Sequence, residues 1–204
     1  MQEVLRLRRL LDRPRKARQE ETCEFCGEAL APGHSHVIDI ASRRLMCACR
    51  PCYLLFVHSG AAGGKYRSAG DRYQRIALED NLWDRIDAPV GIVFFLRNSA
   101  LNRVVVFYPS PAGATESGLP PETWEEIVST NPALGSMEPD IEALLVCRRR
   151  EIRECWIVPI DACYELVGRI RREWKGFDGG GSWEEISAFF LELKAREQGA
   201  FAHV

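Results

Sequence analysis

The apolar positions of this chain change period along its length, and the changes mark its elements. Residues 90–96 are one nearly unbroken apolar run, Val90-Gly91-Ile92-Val93-Phe94-Phe95-Leu96. Residues 104–108 are another, Val104-Val105-Val106-Phe107-Tyr108, and the stretch from Asn98 to Asn102 turns between them. β-Branched and aromatic runs joined by an asparagine-containing turn predict a hairpin. A second strand pair is predicted over residues 141–147 and 155–160, linked by the charged run 148–154, with Pro159 marking a strand end or an edge. Helical spacing holds elsewhere. Pro120 and Pro121 open a helix through Trp124, Ile127 and Val128 that ends near Asn131-Pro132. Asp161 is predicted to cap a helix with Leu166, Val167, Ile170 and Trp174 on one stripe. Ser182 and Glu185 form a capping box ahead of Ile186, Phe189, Phe190 and Leu193, and Asp80 caps a short turn through Ile86 that Pro89 closes. Two hairpins, each followed by helices, predict an α+β domain, an antiparallel sheet covered by helices on one face.

The N-terminal quarter follows a different plan. Residues 36–40 and 43–47 read as two short strands around Ala41-Ser42, and cysteines flank them. Cys23-Glu24-Phe25-Cys26-Gly27 precedes this hairpin and Cys47-Ala48-Cys49-Arg50-Pro51-Cys52 closes it. A Cys-x-x-Cys gap lets a tight turn aim both sulfurs at one point, and Gly27 suits the turn because glycine tolerates positive φ. Pro51 belongs in the first turn of a helix, so Cys49 and Cys52 are predicted at a helix N-terminus, whose positive end favours thiolates. Four thiolates from two such pairs, Cys23, Cys26, Cys49 and Cys52, predict a tetrahedral metal site. Knuckle, hairpin and ligand-bearing helix together resemble the treble-clef zinc finger. Zinc is the expected metal, with iron in a rubredoxin-like site as the alternative; Tyr53 stands where a second rubredoxin knuckle would carry glycine. Cys47 can replace Cys49 as a ligand, and His34 or His36 can replace a thiol, although His36 is read as the start of a strand. His34 is read as a solvated loop residue.

Composition narrows the function classes. The chain has 204 residues, 46% hydrophobic and 27% charged, with net charge −2. That charge gives no global field to draw nucleic acid or acidic substrates. Eight cysteines without a secretory leader at Met1-Gln2-Glu3, and without a membrane-length apolar run, predict a cytoplasmic protein that uses its thiols for metal rather than disulfides. The division expected is a basic arm at 1–22, a four-cysteine module at 23–64, an α+β domain at 65–196 and a tail at 197–204. Arg6, Arg8, Arg9, Arg13, Arg15, Lys16 and Arg18 make the arm basic. Finger plus arm is a third reading, nucleic-acid binding, which the overall charge opposes. Lys65-Tyr66-Arg67 is predicted as a loop anchored by its tyrosine. The segment 109–118 is predicted as an ordered connector and a possible contact loop through Pro109, Ser110, Gly113, Thr115 and Glu116; it has neither a phosphate-loop lysine nor a nucleophile elbow. Cys147 and Cys155 are placed opposite each other in the second hairpin, Cys163 in a first helical turn, and Glu154 on the surface of a turn.

Three runs carry a wider resemblance. They are Cys23 to Cys26 with Cys47-Ala48-Cys49-Arg50 and Cys52 to Phe56; then Phe107-Tyr108-Pro109-Ser110-Pro111-Ala112-Gly113-Ala114-Thr115-Glu116-Ser117; and Val158-Pro159-Ile160-Asp161 with Cys163-Tyr164 and Leu166-Val167. With these the chain, from about residue 22 to 193, resembles a bacterial family without an established activity, often encoded beside nickel–iron hydrogenases of the high-affinity, hydrogen-scavenging type. The resemblance implies an accessory protein whose partner is such a hydrogenase or its maturation machinery, acting in assembly, maturation or electron transfer. No catalytic residue is expected.

Overall fold

The computed structural model describes residues 20–80, 83, 86, 90–117, 121–149, 152–173 and 182–198. The basic arm up to residue 19, Trp174 and residues 199–204 lie outside them, as does most of the turn expected from Asp80 to Ile86.

Three short strands build the first sheet. Ser35–Asp39 (β1) and Arg44–Ala48 (β2) pair antiparallel, joined by a turn in which Asp39 Oδ1 accepts the Ser42 N–H at 3.1 Å. Arg50–Leu54 (α1) follows at once. Tyr66–Ser68 (β3) pairs with the other edge of β1, so the order is β2-β1-β3. The Lys65-Tyr66-Arg67 stretch is therefore mostly strand and not loop, because β1 leaves one edge open to receive it.

The second sheet has six strands, all antiparallel: Gln74–Arg75 (β4), Ile92–Asn98 (β5), Arg103–Ser110 (β6), Gly113–Ser117 (β7), Glu142–Arg149 (β8) and Ile152–Pro159 (β9). Their order is β4-β9-β8-β5-β6-β7. Helices Pro121–Thr130 (α2) and Pro132–Gly135 (α3) lie between β7 and β8 in the chain, and Ile160–Glu173 (α4) and Ser182–Glu197 (α5) follow β9. The class is α+β, a four-cysteine region followed by an antiparallel sheet covered by helices.

The sheet is covered on both faces, where the sequence predicts one. Ile92, Phe94 and Leu96 of β5 join Ala143, Leu145 and Cys147 of β8 in the core under α4 and α5. Val93 and Phe95 join Leu144 and Val146 in a second core with Ile127, Leu134, Met137 and Trp83. Successive strand residues point to opposite faces, so an unbroken apolar run fits a strand with no wet side. Arg169 ties α4 to α5, donating to Glu192 at 2.8 and 2.6 Å.

Four local expectations change. The charged run 148–154 is largely strand: β8 reaches Arg149, β9 begins at Ile152, and Arg148 lies opposite Arg153. Backbone pairing continues past charged residues, of which Arg153 is 51% exposed, so charge alone does not mark the turn. The 109–118 connector is a hairpin through residue 117, since β7 pairs along β6 from Ser110↔Gly113 to Val106↔Ser117. Ser110 Oγ closes its turn, accepting the Ala112 N–H at 3.1 Å and bonding Thr115 Oγ1 at 2.8 Å. Asp161 lies inside the first turn of α4 and not at its cap. Residue 197, assigned to the tail, ends α5, and Glu197 accepts the Arg75 N–H at 2.9 Å.

Candidate metal centre

The first knuckle is a short closed loop. Thr22 bridges Ala29, the Cys23 N–H donates to Glu28 O at 2.8 Å, and the Gly27 N–H returns to Cys23 O at 2.8 Å with φ at 80°. That positive φ is where glycine serves without strain. The second pair opens a helix. Cys49 is the N-cap of α1 in extended conformation, Pro51 lies in the first turn, and the Tyr53 N–H donates to Cys49 O at 2.9 Å.

These two features bring four sulfurs together. The Sγ atoms of Cys23, Cys26, Cys49 and Cys52 all lie within 4.8 Å of one another, and Cys26 Sγ is 3.6 Å from Cys49 Sγ. Zinc–sulfur bonds of about 2.3 Å at tetrahedral angles imply sulfur–sulfur edges of about 3.8 Å. A four-cysteine cluster of these dimensions can hold a metal ion. Cys23, Cys49 and Cys52 are buried and Cys26 is exposed. Val37 and Ala48 form the floor, and Phe25, Leu30, Tyr53, Phe56 and Tyr66 pack around it. Phe25 and Phe56 have ring centroids 4.9 Å apart, and Tyr66 meets both edge-on at 5.6 and 5.4 Å.

The backbone makes the four sulfurs unequal. Burial opposes ionisation of Cys23, yet N–H groups of Cys49, Phe25 and Cys26 aimed at its sulfur outweigh burial and hold its thiol at about 6. Hydrogen bonding to the Cys49 sulfur, together with burial, pushes Cys52 up to about 12. At Cys49 the N–H of Cys52 pulls the thiol down, but burial and the sulfurs of Cys26 and Cys23 win and raise it. The metal-free cluster thus concentrates negative charge on Cys23 and keeps protons on Cys49 and Cys52. A cation can displace those protons.

Cys47 and His36, the substitute ligands, stand elsewhere. They face each other across β1 and β2, and with His34 they form a separate group in which one ring nitrogen of each histidine and the Cys47 sulfur lie within 4.8 Å of one another. Burial raises the Cys47 thiol, with the charges of Glu21, Glu24 and Cys23 adding to it. The contact-loop residues are distant in kind: Pro109 and Ser110 lie in β6 and Gly113, Thr115 and Glu116 in β7. Glu116 lines a cavity of about 270 Å³ with Arg43, Asp140, Phe107, Ile160 and Tyr164, and pairs with Arg103 at 3.1 Å. Cys155 and Cys163 are buried with raised thiols, and burial is the main cause in both.

Sequence reasoning misplaced one residue beside the hairpin and missed the role of another. His34 is not solvated: its side chain is 9% exposed. Asp161 holds His36, accepting from His36 Nδ1 at 3.0 Å. The signal available was the spacing, since His34 and His36 are two apart at a strand start and so share a face.

Among the described residues no helix is long and apolar enough to cross a membrane. Comparison with curated proteins and with solved structures gives no match. The profile of one family matches residues 22–197, from the knuckle to the end of α5, and the chain therefore belongs to that family of unknown function, DUF5947.

Proposed function

We propose that the protein is a non-catalytic zinc-binding accessory protein. Cys23, Cys26, Cys49 and Cys52 hold structural zinc, and the finger docks a protein partner. The observation that carries this is the cluster of four sulfurs at tetrahedral spacing, three of them buried in an apolar shell. Zinc is favoured over iron by the second pair's place at a helix start, which departs from the paired knuckles of a rubredoxin-like site. Docking is supported by Leu54, Leu55 and Val57, which are 52%, 66% and 49% exposed at the end of α1. The partner that the family resemblance implies is a nickel–iron hydrogenase or its maturation machinery.

The test is metal analysis with a visible spectrum on the full chain purified anaerobically without added metal, followed by co-purification with a tagged hydrogenase from the same genome. Zinc and no visible colour are expected, with one zinc per chain lost in Cys26→Ser. Residues 23–64 lose their fold in that variant while the large sheet stays folded with reduced stability. Leu55→Asp should keep its zinc and co-purify less. Visible bands that bleach on reduction would make the site an iron electron carrier. Full zinc content in Cys26→Ser would remove the ligand assignment, and absence of wild-type co-purification would remove the partner.

A further inference from the structure

The group beside the four-cysteine cluster is built as a site in its own right. His34 and His36 are two residues apart, so they share one face of the hairpin, and the register sets Cys47 directly opposite His36 on that face. The rings of His34 and His36 have centroids 4.9 Å apart. Each ring is held through Nδ1. His34 Nδ1 lies 3.1 Å from the Ala31 carbonyl and His36 Nδ1 lies 3.0 Å from Asp161 Oδ2. A carbonyl and a carboxylate only accept, so each Nδ1 donates and Nε2 is the nitrogen left to face a metal. His34 Nε2 is buried and has no hydrogen-bond partner among the described residues. A buried acceptor of this kind costs stability unless something fills it.

We propose that His34, His36 and Cys47 form a second metal site, distinct from the four-cysteine cluster, for a borderline-soft divalent ion of the zinc class. Two imidazoles and a thiolate are the donor set such ions select. One ring nitrogen of each histidine and the Cys47 sulfur lie within 4.8 Å of one another, a spacing that small side-chain movements would close onto one ion at bonds of about 2.0–2.3 Å. Three protein ligands leave a fourth position for water or an exogenous donor, the pattern of exchangeable rather than purely structural zinc. Asp161 acts as a positioning residue. It fixes the tautomer of His36 in the carboxylate–histidine–metal arrangement, and because it belongs to α4 it ties the site to the large sheet's helical layer. The site goes beyond the function proposed above, which uses none of these residues.

Cobalt(II) and zinc titrations of the full chain test it, with bound metal counted by native mass spectrometry. The wild type should take two equivalents. The first should show the strong sulfur-to-cobalt absorption of four thiolates, and the second a weaker band from one thiolate. Cys47→Ser and His36→Ala should each bind one equivalent with the four-thiolate band unchanged, which also reports that the finger is folded. Asp161→Asn should keep both equivalents and weaken the second about 10–100-fold. One equivalent in the wild type, or two undiminished equivalents in both Cys47→Ser and His36→Ala, would overturn the proposal.

Discussion

Glu154 shows how far one residue can depart from the rule for its type. Charge and a place near a turn predict a surface carboxylate, yet Glu154 is 7% exposed in β9. It accepts from Trp156 Nε1 at 3.0 Å and pairs with Lys194 Nζ at 2.7 Å and Arg75 Nε at 3.3 Å. The two cations are partly solvated, so their pairing contributes little on its own. The indole decides the energetics, because Trp156 is fully buried and its N–H has no water to turn to. Glu154→Ala is expected to lower unfolding free energy by about 2–4 kcal/mol, the range for stranding a buried donor and breaking a buried charge's contacts. Glu154→Gln, which keeps an acceptor for the indole, should lose less. Denaturant unfolding followed by tryptophan fluorescence measures both, and an alanine variant as stable as the wild type would show that the indole finds another partner.

Strands and helices were legible where their apolar residues repeat, and register was not. The run at residues 90–96 announces a strand, and Leu166, Val167 and Ile170 announce a helix, because burial of one face or both leaves a periodic trace. The four cysteines were legible because their spacing is local. His36 opposite Cys47 was not, since nothing in either segment states which residue its partner strand offers. The second hairpin shows the same gap. Cys147 and Cys155 were expected to face each other, but the strands pair Cys147 with Glu154 and Val146 with Cys155. A shift of one row puts the two sulfurs on opposite faces, Cys147 in the core under α4 and α5 and Cys155 in the core around Ile127. A disulfide needs both Cβ atoms on one side and about 3.5–4.5 Å apart. Diamide treatment of the folded protein, with peptide mapping, should therefore yield no Cys147–Cys155 bond. Its formation would mean that the register differs in solution.

At the scale of the whole molecule, the cysteine-bearing region and the large sheet share structure. Ile38 of β1 and Ala69 beyond β3 are part of the core under α4 and α5. Tyr53 of α1 donates to Ala69 O at 2.6 Å, and Ser68 Oγ donates to Tyr53 O at 2.6 Å. Metal bound at the four cysteines is thereby linked to the stability of more than the finger, and zinc sites of this kind contribute roughly 10–16 kcal/mol at neutral pH in finger peptides. The raised thiols set how that contribution changes with pH. In the metal-free chain, raised thiols at Cys49 and Cys52 favour the folded, protonated state at low pH and disfavour it as pH rises through their high values. Zinc reverses the sign. The bound form carries no sulfur protons, so binding at pH 7 must expel those of Cys49 and Cys52, whereas Cys23, held at about 6, has already lost its own. Each expelled proton strengthens binding tenfold per unit rise in pH, so these two thiols alone give a slope of roughly a hundredfold per unit. Below about pH 6 the slope should steepen, because Cys23 then also gives up a proton. Calorimetry of zinc binding to Cys47→Ser, which removes the second site, in buffers of different ionisation enthalpy counts the protons directly. An affinity that does not change between pH 6 and 8 would mean that the four sulfurs are already charged before the metal arrives.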